Sequence, residues 1–306
     1  MRVKDYIKKN FWGRLGVSYL HCFESWLLPK IVNDEKFIKR FYKKRAHKDL
    51  NLDNPQGMNE KMNWYKLNDR NPLMQTCADK YGVREYIISK GYENSLNKLL
   101  AIYDSVDDID IDALPERFVL KATHGCHMNI IVKDNKDSIN WRQQRMMMRS
   151  WLKQDVYWSG REWVYKDIPR KIIAEEYLED ETGELKDYKF FCFNGKPYYV
   201  LHLGNRYKGS LYINYYDMDM NLIDVRDVCF PNNPDADFPL TKDVYERMKK
   251  MAADLSEPFQ HVRVDLYEIN GKIYFGEMTF FTGGGFQRFI PHEFDRIWGD
   301  YWELKK

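Results

Sequence analysis

Apolar residues recur at three- and four-residue steps near the start of the chain. Trp12, Leu15, Tyr19, Cys22, Phe23, Trp26 and Leu27 form one such series, and Pro29 stops it, the signature of an amphipathic helix. Asn33 or Asp34 then caps a second helix with Phe37, Ile38, Phe41 and Tyr42 along one side. From residue 78 the pattern changes. Asp79-Lys80-Tyr81 opens a helix that runs through Ser89 and ends at Gly91. Apolar runs at 99–103, 117–122 and 129–133 read as strands, the helical period returns over 141–153, and a strand follows at 171–174. Beyond Glu176 strands dominate, at 188–193, 197–203 and 210–216, with an Asn194-Gly195 turn after the first. A helix over 242–255 precedes a last hairpin with arms 262–267 and 272–279, which leads to Gly283-Gly284-Gly285. Strands in runs with helices interspersed predict an α+β fold rather than alternating βαβ units. The pattern divides into a helical N-terminal region (1–75), a first α+β subdomain (76–174) and a second (175–306).

Composition changes this picture in two places. Hydrophobic residues at 44% and charged residues at 31% are ordinary for a soluble globular chain of 306 residues. The aromatic share of 16% is high, and an aromatic-rich core is its commoner cause. Charge is uneven: net +2 overall, but 13 Lys/Arg against 5 Asp/Glu within residues 1–50. Seven Lys/Arg fall between Lys36 and Lys48 with no acid among them. Residues 1–50 are therefore a candidate peripheral contact with an anionic membrane face. The competing reading is a helical cap with solvated lysines, and it is favoured because amphipathicity alone is weak evidence. The acidic remainder carries no zinc-finger or basic-zipper pattern, so nucleic acid is not an expected partner. Five cysteines without a Cys-x-x-Cys pair fit a reduced cytoplasm. The uncharged stretch Leu15 to Phe23 holds nine residues, too few to span a bilayer.

The chemistry concentrates in the last hairpin. Arg263-Val264-Asp265 and Gly276-Glu277-Met278-Thr279 flank Glu268-Ile269-Asn270-Gly271-Lys272. Arg263 and Asp265 share a strand face, as do Glu277 and Thr279. A two-residue Asn270-Gly271 turn pairs Ile269 with Lys272 and sets the carboxylates on opposite faces; a three-residue turn shifts the register and brings all four together. There, roughly 5 Å apart, Asp265 and Glu277 could share a divalent cation beside an arginine, an arrangement suited to phosphoryl transfer. Scattered charges on a surface hairpin would give the same residues. Upstream, Lys121 ends an apolar strand before the loop Ala122-Thr123-His124-Gly125-Cys126-His127-Met128. Such a lysine can grip phosphate oxygens while loop N–H groups add donors. Glu175-Glu176-Tyr177-Leu178 follows another apolar strand and could offer backbone groups to an adenine, with Leu178 on its face. Lys189 shares a face with Asp187 and could reach a phosphate from the second lobe. His124 and His127 lack a second ligand cluster, so they are a poor zinc site. No Gly-x-Ser-x-Gly elbow is present.

Taken in order, Asp79-Lys80, Lys121 with its loop, Glu175 to Leu178, and Arg263-x-Asp265 with Glu277-x-Thr279 resemble the ATP-grasp superfamily. The phrases Ala78-Asp79-Lys80-Tyr81-Gly82-Val83-Arg84, Asp187-Tyr188-Lys189-Phe190, Val262-Arg263-Val264-Asp265-Leu266-Tyr267 and Phe275-Gly276-Glu277-Met278-Thr279-Phe280 look like its TupA-like (teichuronopeptide biosynthesis) branch. The resemblance runs from about residue 54 to 299. It implies two α+β subdomains clasping ATP, behind a helical N-terminal extension. It also implies that Lys121, Thr123, Gly125 and Lys189 contact the nucleotide, and that Glu175, Glu176, Tyr177 and Leu178 hold adenine. Asp265, Glu277 and Thr279 would bind Mg2+, with Arg263 and Lys189 catalytic. Thr279 stands where many ATP-grasp enzymes carry asparagine, and Cys126 and His127 where small residues are usual. The implied reaction is ATP-driven ligation of a small-molecule or saccharide carboxylate to an amine through an acyl-phosphate, on a component such as a surface-polysaccharide uronic acid.

A glycosyltransferase is the main competitor. Asp217-Met218-Asp219 follows an apolar strand, as a metal and sugar-diphosphate motif would, although Asp108-Ile109-Asp110 and Asp110-Ile111-Asp112 repeat the pattern elsewhere. A binding protein without nucleotide is a third reading, supported only by the loop's departures.

Overall fold

The computed structural model describes residues 10–27, 32–183, 185–205 and 209–305. Its helices are α1 (Phe11–Leu27), α2 (Asp34–Ala46), α3 (Met58–Asn68), α4 (Leu73–Ala78), α5 (Val83–Ser89), α6 (Trp141–Lys153), α7 (Tyr157–Gly160), α8 (Lys242–Ser256) and α9 (Phe294–Asp300). Its strands are β1 (Leu99–Tyr103), β2 (Phe118–Ala122), β3 (Asn129–Val132), β4 (Ile172–Glu176), β5 (Lys186–Phe193), β6 (Lys196–Gly204), β7 (Tyr212–Asp217), β8 (Leu222–Ile223), β9 (Arg226–Asp227), β10 (His261–Ile269), β11 (Lys272–Thr279) and β12 (Phe289–Ile290). The fold is α+β. Pro29 and the side chain of Trp26 lie outside the described residues.

The chain forms two compact units that interleave in sequence. Unit 1 comprises 1–34, 79–83 and 97–177; unit 2 comprises 35–78, 84–96 and 178–306. The division crosses the boundaries expected from the pattern. The helical region 1–75 is not a body of its own, and the later crossing falls after Tyr177 rather than after residue 174.

Unit 1 is built on an antiparallel sheet ordered β1-β4-β2-β3. Alternation along β2 buries Phe118, Leu120 and Ala122 in one cluster with Met147, Met148 and Trp151 of α6. The Asn140 side chain caps α6 by accepting from the Gln143 N–H. Leu15 of α1 joins this core, and the Ser18 and Ser150 hydroxyls bond at 2.7 Å. The stripe expected along α1 is thereby divided. Leu15 is buried, whereas Trp12, Tyr19 and Phe23 are exposed.

Unit 2 carries an antiparallel sheet ordered β11-β10-β5-β6-β7-β8. Helix α8 packs on it through Val244, Tyr245, Met248, Met251, Ala252 and Leu255, all buried. Aromatic rings complete the core, with Tyr199 stacked on Trp298 at 4.0 Å between centroids. The high aromatic content therefore serves packing. Helix α2 buries Ile38 and Tyr42 while its lysines stay exposed. Helix α3 braces the glycine run: Lys66 Nζ donates to the Gly284 carbonyl at 2.7 Å and Asn63 Nδ2 to that of Gly285 at 2.9 Å. Among the described residues no helix is long and apolar enough to cross a membrane.

Candidate active site

Strand β10 lies between β5 and β11, and this places the charged residues of three strands together. Asp265 is opposite Glu277 on one side and Lys189 on the other, and Arg263 is opposite Thr279. Arg263 grips Asp265 with two hydrogen bonds, Nε to Oδ1 at 2.6 Å and Nη2 to Oδ2 at 2.7 Å. The same Nη2 donates to Glu277 Oε1 at 3.1 Å and to Thr279 Oγ1 at 3.0 Å. Three oxygens therefore converge on one cationic nitrogen. Lys189 Nζ pairs with Asp265 and also with Asp187 Oδ2, the latter at 2.8 Å. The Asp265 side chain is fully buried, whereas that of Glu277 is 38% exposed, so the face opens to solvent at Glu277. Burial pushes the Asp265 carboxyl up to about 6, against the pull of Arg263 and Lys189. Burial is the largest single influence on Arg263 and Lys189 and works to lower their pKa values, but Asp265, Asp187 and Glu277 together outweigh it and hold both raised.

The register is reached by a route other than the one expected. Ile269 pairs with Lys272 across a two-residue turn in which Asn270 (φ 51°) and Gly271 (φ 80°) are left-handed, the geometry of a type I′ hairpin. That turn alone would part the carboxylates. A bulge between Asp265 and Leu266 restores them: Asp265 faces Glu277 and Leu266 faces Phe275, leaving Gly276 extra. A Cβ on Gly276 would lie 3.0 Å from the Asp265 carbonyl oxygen and 3.0 Å from the Tyr267 ring. The available sequence signal was a glycine inside a strand, which often marks a bulge.

In unit 1, Lys121 and Glu175 share a sheet face and form an ion pair at 2.7 Å. Lys80 fastens the loop beyond Lys121: its Nζ donates to the Gly125 carbonyl, and its backbone N–H to that of Thr123 at 3.2 Å. Thr123 is buried, and its hydroxyl donates to the Pro169 carbonyl at 2.8 Å and accepts from the Lys171 N–H at 3.1 Å. It braces the loop rather than presenting a free hydroxyl. His124 is buried with Nε2 3.1 Å from the Trp151 carbonyl oxygen. The Glu176 N–H and C=O already bond Lys98 and Asn97, so its backbone serves the sheet. The Arg117 guanidinium lies 4.6 Å from the Tyr177 ring centroid. The chain leaves unit 1 after Tyr177 and enters unit 2 at Leu178.

The sequence profile of the TupA-like ATP-grasp family matches residues 60–303. The chain belongs to the TupA-like ATP-grasp family. No curated protein matches it in sequence. Among solved structures it is similar to D-alanine–D-alanine ligase from Bacillus anthracis complexed with ATP, at 14% identity and TM-score 0.41, over 74% of this chain and 58% of that one. It is also similar to the ADP complex of purK, N5-carboxyaminoimidazole ribonucleotide synthetase, at 12% identity and TM-score 0.44, over 72% and 50%. The chain thus spans 58% and 50% of the length of these two structures, and the assignment rests on the family match.

For this ATP-grasp chain the donor set on β10 and β11 fits a hard cation. Magnesium takes one or two carboxylates and completes its shell with water and substrate phosphates, and Asp265 with Glu277 is such a pair. Among the described residues no cluster of three or more histidine, cysteine or carboxylate side chains could hold a metal. Two participants were absent from the expected site: Lys80, which ties down the loop, and Asp187, which shares Lys189 with Asp265. The Asp187-x-Lys189 spacing carried the second. The first aspartate of the competing motif is otherwise employed, and the second is an exposed turn residue. Asp217 Oδ1 accepts from the Asp219 and Asn221 N–H groups at 2.9 Å each, and Oδ2 from Asn221 Nδ2 at 3.0 Å. The motif closes a turn.

Proposed function

We propose that the chain is an ATP-dependent carboxylate–amine ligase that works through an acyl-phosphate. The observation that carries this is the convergence of Asp265, Glu277 and Thr279 on one guanidinium nitrogen, within a family-matched segment. A carboxylate oxygen attacks the γ-phosphorus of ATP, the bond to the bridging oxygen breaks, and ADP leaves. The amine nitrogen then attacks the acyl carbon, the bond to phosphate oxygen breaks, and the amine proton passes to solvent. Lys121 and Lys189 neutralise phosphate charge, and Arg263 meets the charge that develops on the transferred group. Magnesium, held by Asp265 and Glu277 with Thr279 beside them, would supply further neutralisation of the phosphates. Glu175 to Leu178 flank the adenine. Family kinship supports a saccharide acid, such as a uronic acid of a surface polysaccharide, as acceptor of an amino acid, and the cytoplasm as the place of reaction.

The test is nucleotide binding. ATP with magnesium at one hundred times its dissociation constant should stabilise the fold by about 2.7 kcal/mol, whereas a UDP-sugar should not. In an ADP-release assay Lys121→Ala should lose far more than tenfold in rate and Asp219→Asn less than about tenfold. A dead Asp219→Asn beside an active Lys121→Ala would restore the glycosyltransferase reading.

A further inference from the structure

Unit 1 contains a cavity of about 590 Å3, within the range of small-molecule sites. One wall is α1, through Arg14, Ser18 and His21, which lie before residue 60 where the family match begins. One wall of the cavity thus lies outside the family-matched segment and the rest within it. The opposite wall is the loop after Lys121, through Cys126 to Asn129. Asn129 is the cross-strand partner of Lys121, so the cavity reaches the strand position beside the lysine assigned to ATP phosphate. Contact with that loop is close. A Cβ on Gly125 would lie 2.9 Å from Val156 Cγ2 and 3.3 Å from Met128 Sδ, both of them cavity-wall residues.

The lining states the ligand chemistry. Trp151 and Trp158 give ring-sized apolar surface, and the Arg161 guanidinium lies 4.5 Å from the Trp158 ring centroid. Arg14 is exposed and pairs with no carboxylate among the described residues. His21 stands two helical turns further along the same α1 face. The acid in the wall, Asp155, meets Trp158 Nε1 at 3.1 Å and Arg170 at 3.6 Å through Oδ2, while its Oδ1 is buried without a hydrogen-bond partner among the described residues. The cavity thus combines indole surface with one arginine, Arg14, that no carboxylate among the described residues neutralises.

We propose that this cavity binds a small carboxylate carried on a ring, with Arg14 and His21 meeting the acid group and the two indoles the ring. That this ligand is the acid consumed in ligation rests on the ligase reading; the site itself does not. The full chain, free of nucleotide, is titrated calorimetrically with glucuronate, with benzoate and with neutral glucose. At least one carboxylate should bind, and glucose about tenfold more weakly or worse. Arg14→Gln should weaken the carboxylate by about tenfold without moving the thermal midpoint, since its side chain is exposed. Trp12→Ala, on the exposed side of α1, should change nothing. Failure of both carboxylates to bind, or binding indifferent to Arg14→Gln and to His21→Gln, overturns the proposal. A parallel ATP–magnesium titration keeps the two readings apart. Carboxylate binding without nucleotide binding retains this site and removes the ligase, and the reverse outcome removes this site alone.

Discussion

Arg263 and Lys189 place two cations on one buried carboxylate, which gives Asp265 a structural role besides the metal-binding one proposed for it. Removing its charge leaves both cations without their shared partner in a site that water barely reaches. Breaking a buried pair in this way costs about 3–5 kcal/mol, so Asp265→Asn should be strongly destabilised in urea titration. Glu277 meets the same guanidinium at 3.1 Å, but its side chain is 38% exposed. Glu277→Gln should therefore lose under about 1 kcal/mol while losing most of its turnover. Equal stability losses in the two variants would contradict the buried-pair geometry. The pairing of Arg263 with Asp265 was readable as an i, i+2 motif on one strand. The sharing of Asp265 with Lys189 was not, because it depends on which strand lies beside β10, and no local spacing encodes that.

At the scale of elements, the hairpin β10–β11 shows what pattern reading reaches and where it stops. The arm at 272–279 and the helix at 141–153 fall where periodicity puts them. The turn residues also behave as their type dictates, with left-handed Asn270 and Gly271. What pattern could not supply was the bulge, because a strand glycine marks a bend, a close approach or only a weak strand. Here Gly276 is required by space, with the Asp265 carbonyl oxygen 3.0 Å from where a Cβ would sit. Gly276→Val should force the extra residue out of its position and rotate Glu277 away from Asp265. We expect a loss of about 1–3 kcal/mol in stability, in line with overpacking, and loss of the magnesium-dependent part of the ATP thermal shift. A variant that keeps both would show that the alignment of the carboxylates does not depend on the bulge.

For the whole molecule, the interleaved units are the feature furthest from sequence. The hydrogen bond between Ser18 and Ser150 joins helices 132 residues apart, and no periodicity announces which distant helix a stripe will meet. The same long-range packing encloses three histidines. His124, His202 and His261 are 1%, 3% and 0% exposed. Burial holds their pKa values down to about 4, 4 and 3, respectively. Each is thus neutral in the folded chain, whereas on unfolding each returns to an ordinary value near 6.5. Between pH 6.5 and about 4 the unfolded state binds the extra protons, so stability must fall as pH falls and be fully present above 6.5. The contribution is about 1.4 kcal/mol per pH unit for each histidine fully engaged. Denaturant titrations at pH 7.5, 6 and 5 should show this slope, reduced by Asp265, whose carboxyl near 6 takes up its proton in the folded state over the same window and so contributes with the opposite sign. His261→Phe isolates one contribution, because His261 stacks on Phe193 at 4.8 Å and a phenyl ring preserves that contact. The variant loses the hydrogen bond to the Cys192 carbonyl, which shifts the whole curve, but the pH dependence should flatten by one histidine's share. An unchanged slope in His261→Phe would mean that His261 is not held neutral by burial.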